Sequence, residues 1–193
     1  MEILGKILGS SARVKIMRLF LLNRGKSFKN KDIVKRSRVS SDILRRELRL
    51  LSTIDFIKKR NTDWSYNPAF KYGTELEALL VNADTLNTGI ILQNFKNIGK
   101  VKLVLVSGIF IKNDDSRVDL LIVGDKMKRG RIEEGMRRLE AEIGAELVYA
   151  VFDTKEFLYR LNMYDKLVRD ILDFPHEVIL QTKELSTQAL KKD

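Results

Sequence analysis

Cysteine is absent and histidine occurs once, at His176. The first absence removes disulfides, thiolate zinc sites and cysteine nucleophiles. The second confines any histidine-based triad to His176, and no G-x-S-x-G turn is present to set a serine beside it. Directly after Pro175, His176 reads as a surface or packing residue. Neither a G-x-G-x-x-G nor a G-x-x-x-x-G-K-[ST] run offers a phosphate cradle. Long apolar runs are also missing at the N-terminus: Ile3, Leu4, Ile7 and Leu8 are interrupted by Gly5, Lys6 and Gly9, which suits neither a signal segment nor a membrane span. The expectation is a soluble, cytoplasmic protein without a membrane partner.

What the chain does have is positive charge, unevenly placed. Its 193 residues allow one sizeable core or two small ones. Residues 1–72 carry 18 Lys and Arg against 6 Asp and Glu, whereas residues 73–193 carry 18 against 20. The two parts are therefore +12 and −2, which together give the +10 of the whole chain. Such asymmetry suggests two modules, the first facing a polyanion, because clustered cations release counterions when they meet a phosphate backbone.

The first module has a helical rhythm. Ser10 or Ser11 can cap a helix whose apolar positions Val14, Met17 and Leu21 recur at spacings of three and four, with Gly25 as its stop. A short helix over about Asn30–Ser37, a tight turn at Arg38 and Val39, and a third helix from Ser40 or Ser41 to about Thr53 follow the helix-turn-helix order. On the third helix Leu44, Leu48 and Leu51 make one stripe, and Asp42, Arg45, Arg46 and Arg49 gather on the opposite face. Phe56 to Arg60, a turn at Asn61, Thr62 and Asp63, and Trp64 to Tyr66 then predict a basic hairpin, a wing. Phe28, Trp64 and Tyr66 are expected to close the small core rather than stack on bases.

Beyond residue 72 the pattern changes. Gly73 to about Asn97 predicts a helical connector. Val101–Val106 and Val118–Val123 read as strands, the second closed by Gly124 and Asp125. Glu133–Ile143 reads as an amphipathic helix, Glu146–Phe152 as a third strand and Lys155–Leu172 as further helix. The fold class predicted is α+β: residues 1–72 a winged helix-turn-helix domain, 73–98 a linker helix, and 99–193 a small α/β domain.

Two stretches carry a family resemblance across nearly the whole chain. Ile57-Lys-Lys-Arg60 through Tyr66-Asn-Pro-Ala-Phe70 and Glu75-Leu-Glu-Ala-Leu-Leu80 look like a wing exit and linker helix. Leu105-Val-Ser-Gly-Ile-Phe110 and Ser116-Arg-Val-Asp-Leu-Leu-Ile-Val-Gly-Asp125 look like the start of a nucleotidyltransferase core. The chain thus resembles winged-helix regulators fused to a minimal nucleotidyltransferase-like domain of the polymerase beta superfamily. The resemblance implies a Gly-Ser turn that holds a nucleotide phosphate, an Asp-x-Asp pair that chelates Mg²⁺, and a third carboxylate on the next strand. Here the turn is Ser107-Gly108 and the pair is Arg117 and Asp119. With an arginine in the place of one carboxylate, Arg117 is expected to pair with Asp119 and repel a cation. Asp114, Asp115 and Glu146 are the acids at hand to replace the missing oxygens.

These observations imply a DNA-binding transcriptional regulator and not an enzyme, with no cofactor and no bound metal. Its degenerate nucleotidyltransferase-like domain would serve as a sensor, partner-docking or dimerisation module. The alternative is a nucleotidyltransferase tethered to DNA. The partner expected is double-stranded DNA, met by a homodimer. Arg45, Arg46 and Arg49 would enter the groove, Ser40 and Ser41 would sit near phosphate, and Lys58, Lys59 and Arg60 would make wing contacts.

Overall fold

A computed structural model describes residues 3–82, 88–113 and 115–185, with Asn82 as backbone only. The protein is mixed α+β with two separate sheets. By packing it divides into two compact units, Met1–Asn87 with Arg137–Glu146, and Thr88–Met136 with Leu147–Asp193.

In the first unit, helix α1 (Ile3–Ile7) leads into α2 (Ser11–Leu21). Ser10 caps α2 by accepting from the Arg13 amide at 3.1 Å. Gly25 is not the stop: α2 ends at Leu21, and Leu22 keeps a right-handed helical conformation as its C-cap. Strand β1 (Ser27–Lys29) follows, then α3 (Asn30–Ser37), α4 (Ser41–Thr53) and the hairpin β2 (Ile57–Arg60) and β3 (Asp63–Tyr66). All three strands are antiparallel, in the order β1-β3-β2. Strand β1 leaves no mark in the sequence pattern, because Phe28 is the single buried residue in three and shows no period. Val14, Met17, Phe20, Ile33, Leu44, Leu48, Leu51 and Phe56 fill the core, with Phe28 and Tyr66 buried beside them and Trp64 packed at its margin.

A carboxylate is among the polar groups buried in this unit. Glu47 of α4 is 1% exposed, accepts from the Ser10 hydroxyl at 2.9 Å and from Arg13 Nε at 2.9 Å, while Arg13 also donates to the Leu8 carbonyl at 2.7 Å. A carboxylate withdrawn from water costs several kcal/mol unless such partners offset it.

The connector is broken up: α5 (Gly73–Glu77) runs into a π-helical turn at Ala78–Asn82, and α6 (Thr88–Asn94) is a separate element. The part of the predicted linker helix at residues 83–87 lies outside the described residues. In the second unit, β4 (Lys100–Val106) pairs antiparallel with β5 (Leu120–Asp125) and with β7 (Glu177–Gln181), and β6 (Tyr149–Phe152) joins β5 in parallel. The order is β6-β5-β4-β7. Leu103, Leu105, Leu121 and Val123 pack with Phe157 of α8 (Thr154–Asn162) and with Val168 and Ile171 of α9 (Lys166–Asp173). Val104, Val106, Leu120 and Ile122 are buried on the other face, which explains why both strands read as nearly continuous apolar runs. Helix α7 (Arg129–Ile143) starts in this unit.

Several predicted boundaries move. Strand β5 begins at Leu120 rather than Val118 and includes Gly124 and Asp125, and β6 begins at Tyr149 rather than Glu146. The single helix expected over 155–172 is two, interrupted where Tyr164 takes φ 55° and Asp165 caps α9 by accepting from the Val168 amide. Strand β7 is an addition to the predicted elements, since it is half exposed and lacks a clean alternation. Among the described residues no helix is long and apolar enough to cross a membrane.

The Glu47 cluster gives a stability prediction. Arg13→Ala leaves a buried carboxylate with only the distant, exposed Arg46 guanidinium as a charge partner and should cost about 3 kcal/mol in urea unfolding. Arg45→Ala, an exposed change, should stay within about 0.5 kcal/mol.

Candidate nucleic-acid interface

The link between α3 and α4 depends on one left-handed residue. Arg38 adopts φ 55° and its amide reaches the Val34 carbonyl at 2.9 Å, while the Ser37 hydroxyl donates to the Ile33 carbonyl at 2.6 Å. The chain then reverses within Val39 and Ser40, and α4 starts at Ser41. Ser40 and Ser41 are exposed, and the Ser40 hydroxyl makes no capping bond. Free hydroxyls and unsatisfied amides at a helix start favour an anion.

Arg45, Arg46 and Arg49 all stand on the exposed side of α4. Arg45 lies 3.6 Å from Asp42, one turn back, and Arg46 reaches the rim of the Glu47 cluster at 3.8 Å. Both side chains remain more than two-thirds exposed, so these pairs hold the guanidinium groups only weakly.

The hairpin cations do not form a single row. Strand alternation puts Ile57 and Lys59 on one face and Lys58 and Arg60 on the other. Lys59 stands opposite Trp64 in the register, with its ammonium 5.5 Å from the ring centroid. Trp64, held by its indole N–H donating to Asn30 at 2.9 Å, shares a groove of about 430 Å³ with Arg45, Leu48, Arg49, Ser52 and Thr53. The structure therefore brings Arg45, Arg49, Lys59 and Trp64 together, and leaves Lys58 and Arg60 on the far face of the hairpin. Two contributors escape a reading of the sequence. Trp64 is at once a core neighbour and a groove wall, and Glu47 sits among charged residues in the sequence although its side chain is buried.

The second unit corrects the reading of Asp119. Arg117, Val118 and Asp119 precede β5, so strand alternation does not place Arg117 and Asp119 on one face. Arg117 pairs with Asp170 of α9 at 2.9 Å, not with Asp119. Asp119 is no salt-bridged strand residue: its two oxygens accept from the backbone amides of Ile109 and Val148, each at 2.8 Å. Ser107 closes the same corner, its amide donating to the Asp119 carbonyl at 2.9 Å and its hydroxyl to the Val118 carbonyl. Gly108 takes φ +56°, and a Cβ there would run into the Asp119 carboxylate. Ser107, Gly108 and Asp119 do converge, but as a clasp of backbone bonds.

The other acids are engaged or exposed. Glu146 pairs with Arg36 at 2.8 Å within the first unit, Asp115 is exposed, and Asp114 lies outside the described residues. Among the described residues no group of three or more His, Asp and Glu side chains is placed to hold a metal ion. His176 lies just before β7, its Nδ1 2.9 Å from the Phe174 carbonyl. Comparison with protein-family models, curated proteins and solved structures found nothing that matches this chain.

The clasp predicts that Asp119→Ala leaves two amides unpaired and destabilises by about 1–3 kcal/mol, with Asp119→Asn milder because it keeps one acceptor. Gly108→Ala, strained in φ and crowded, should be at least as damaging as Asp119→Ala in the same urea titration.

Proposed function

We propose that this protein is a winged helix-turn-helix transcriptional regulator that binds double-stranded DNA through α4 and the β2–β3 hairpin. The observation that carries the reading is the arginine-faced α4 beside a basic hairpin. Its apolar stripe is consumed by the core, and its cations are left with weak partners or none among the described residues. A helix of this kind, preceded by a tight turn and followed by a hairpin, is suited to the major groove, with the hairpin reaching an adjacent backbone.

Within this reading Arg45 and Arg49, beside Trp64 and Lys59, are the base-edge candidates. Arg46, Ser40, Ser41, Lys58 and Arg60 are phosphate contacts, which fix register without reading sequence. The second unit acts as a sensor, docking or dimerisation module and not as a nucleotidyltransferase. Support comes from Asp119, whose oxygens are engaged by backbone amides, and from Arg117, which stands where the resembling family has its first metal-binding aspartate.

Selection of bound duplexes from a random pool tests both parts of the reading. Enrichment of one motif supports groove readout, and a pair of inverted motifs about one helical turn apart supports a homodimer. Arg45→Glu with Arg49→Glu should weaken binding of the selected duplex at least about a hundredfold by gel shift. The circular dichroism spectrum should not change, as both side chains are exposed. Unaltered affinity would remove α4 from the interface.

A further inference from the structure

A second cationic surface lies in the second unit, where Lys and Arg only slightly outnumber Asp and Glu, 16 against 14. The stretch 96–100 contributes Lys96 and Lys100, and 125–131 contributes Lys126, Lys128, Arg129 and Arg131; all six are exposed. The fold stitches the two stretches together. The Lys128 amide donates to the Ile98 carbonyl at 2.6 Å, and the Arg131 guanidinium donates to the Asn97 carbonyl at 2.7 Å. Lys100 is in register with Asp125. Gly99, at φ +155°, brings its backbone so close that an added Cβ would lie 2.8 Å from the carbonyl oxygens of Asp125 and Lys126.

Two features separate this tip from an ordinary solvated face. First, its charge is not internally neutralised. Arg129 has Glu133 one turn on at 3.0 Å, but Lys96, Lys100, Lys126 and Lys128 have no ion pair among the described residues. The nearest acid in sequence, Asp125, is held by Lys102 at 2.9 Å. In contrast, the arginines elsewhere in this unit, Arg117, Arg160 and Arg169, each hold a carboxylate. Second, Lys128, Arg129 and Arg131 sit at the start of α7, whose first turn has no acidic residue. Cations there oppose the helix macrodipole, so the helix itself disfavours the arrangement. The same dipole adds to the side-chain charge in attracting an anion.

We propose that this tip binds the phosphate backbone of duplex DNA, independent of sequence and separate from α4. No aromatic residue occurs in either stretch, so there is no platform on which single-stranded bases stack. Ile98 is buried, and no exposed large apolar side chain is available for insertion into a lipid surface.

The test measures anisotropy of a labelled random-sequence duplex with the full chain across a range of NaCl concentrations. Combined Lys96→Gln, Lys100→Gln, Lys126→Gln and Lys128→Gln should lower affinity at least about tenfold at low salt. It should also flatten the log–log salt slope by about two to four units, because each phosphate that is no longer neutralised removes about 0.9. Lys112→Gln, Lys155→Gln, Lys166→Gln and Lys183→Gln make the same change in net charge at exposed sites elsewhere in the unit, and should move the slope by less than about one unit. Equal weakening by the two variants, no weakening by the first, or a first-variant defect confined to anionic vesicles would overturn the proposal. If the fourfold variant does not fold, Lys126→Gln with Lys128→Gln alone should give about half the change in slope. The slope decides the matter even if Arg45→Glu with Arg49→Glu leaves binding intact, so failure of the α4 reading and failure of this one are distinguishable.

Discussion

The pairing of Glu47 with Arg13 and Ser10 is the constraint on which the presentation of α4 rests. A helix with one apolar stripe can roll on its neighbours at little cost, because hydrophobic burial has no direction. A buried carboxylate has direction. To keep two donors at 2.9 Å, α4 must hold a fixed rotation and a fixed height against the start of α2. That rotation determines which residues are left outside: Arg45 and Arg49 toward the Trp64 groove, and Arg46 on the opposite flank. The charged face is therefore positioned by a charge that the solvent does not see.

Much of the first unit is legible in the sequence because its elements are periodic. The stripe Leu44, Leu48 and Leu51 locates α4 within a residue at each end, and Asn30–Ser37 coincides with α3. What escapes lacks a period or depends on distant partners. Strand β1 buries one side chain of three and is defined by its pairing with β3. Glu47 lies between Arg46 and Leu48, and nothing local to α4 indicates that Ser10 and Arg13 approach it across more than thirty positions of sequence.

The second unit is legible as a class and less so in detail. The runs Val101–Val106 and Val118–Val123 announce buried strands, yet β7 pairs with β4 from more than seventy residues away and leaves no local mark. Asp119 shows the limit of spacing. Two residues apart within a strand implies one shared face, but Arg117 and Asp119 fall in the irregular approach to β5, where that rule does not apply. The carboxylate turns to backbone amides and the guanidinium to α9.

The first turn of α7 has a thermodynamic consequence of its own. Three cations at the positive end of a helix raise the free energy of that turn whenever it stands alone, and any anion held there lowers it again. Occupancy and helical order are then two sides of one equilibrium, since a ligand that prefers the ordered turn shifts the population toward it. Amide exchange at Arg131 and Ile132, whose N–H groups close that turn onto the Lys128 carbonyl, would slow as the fraction of molecules carrying the anion rises.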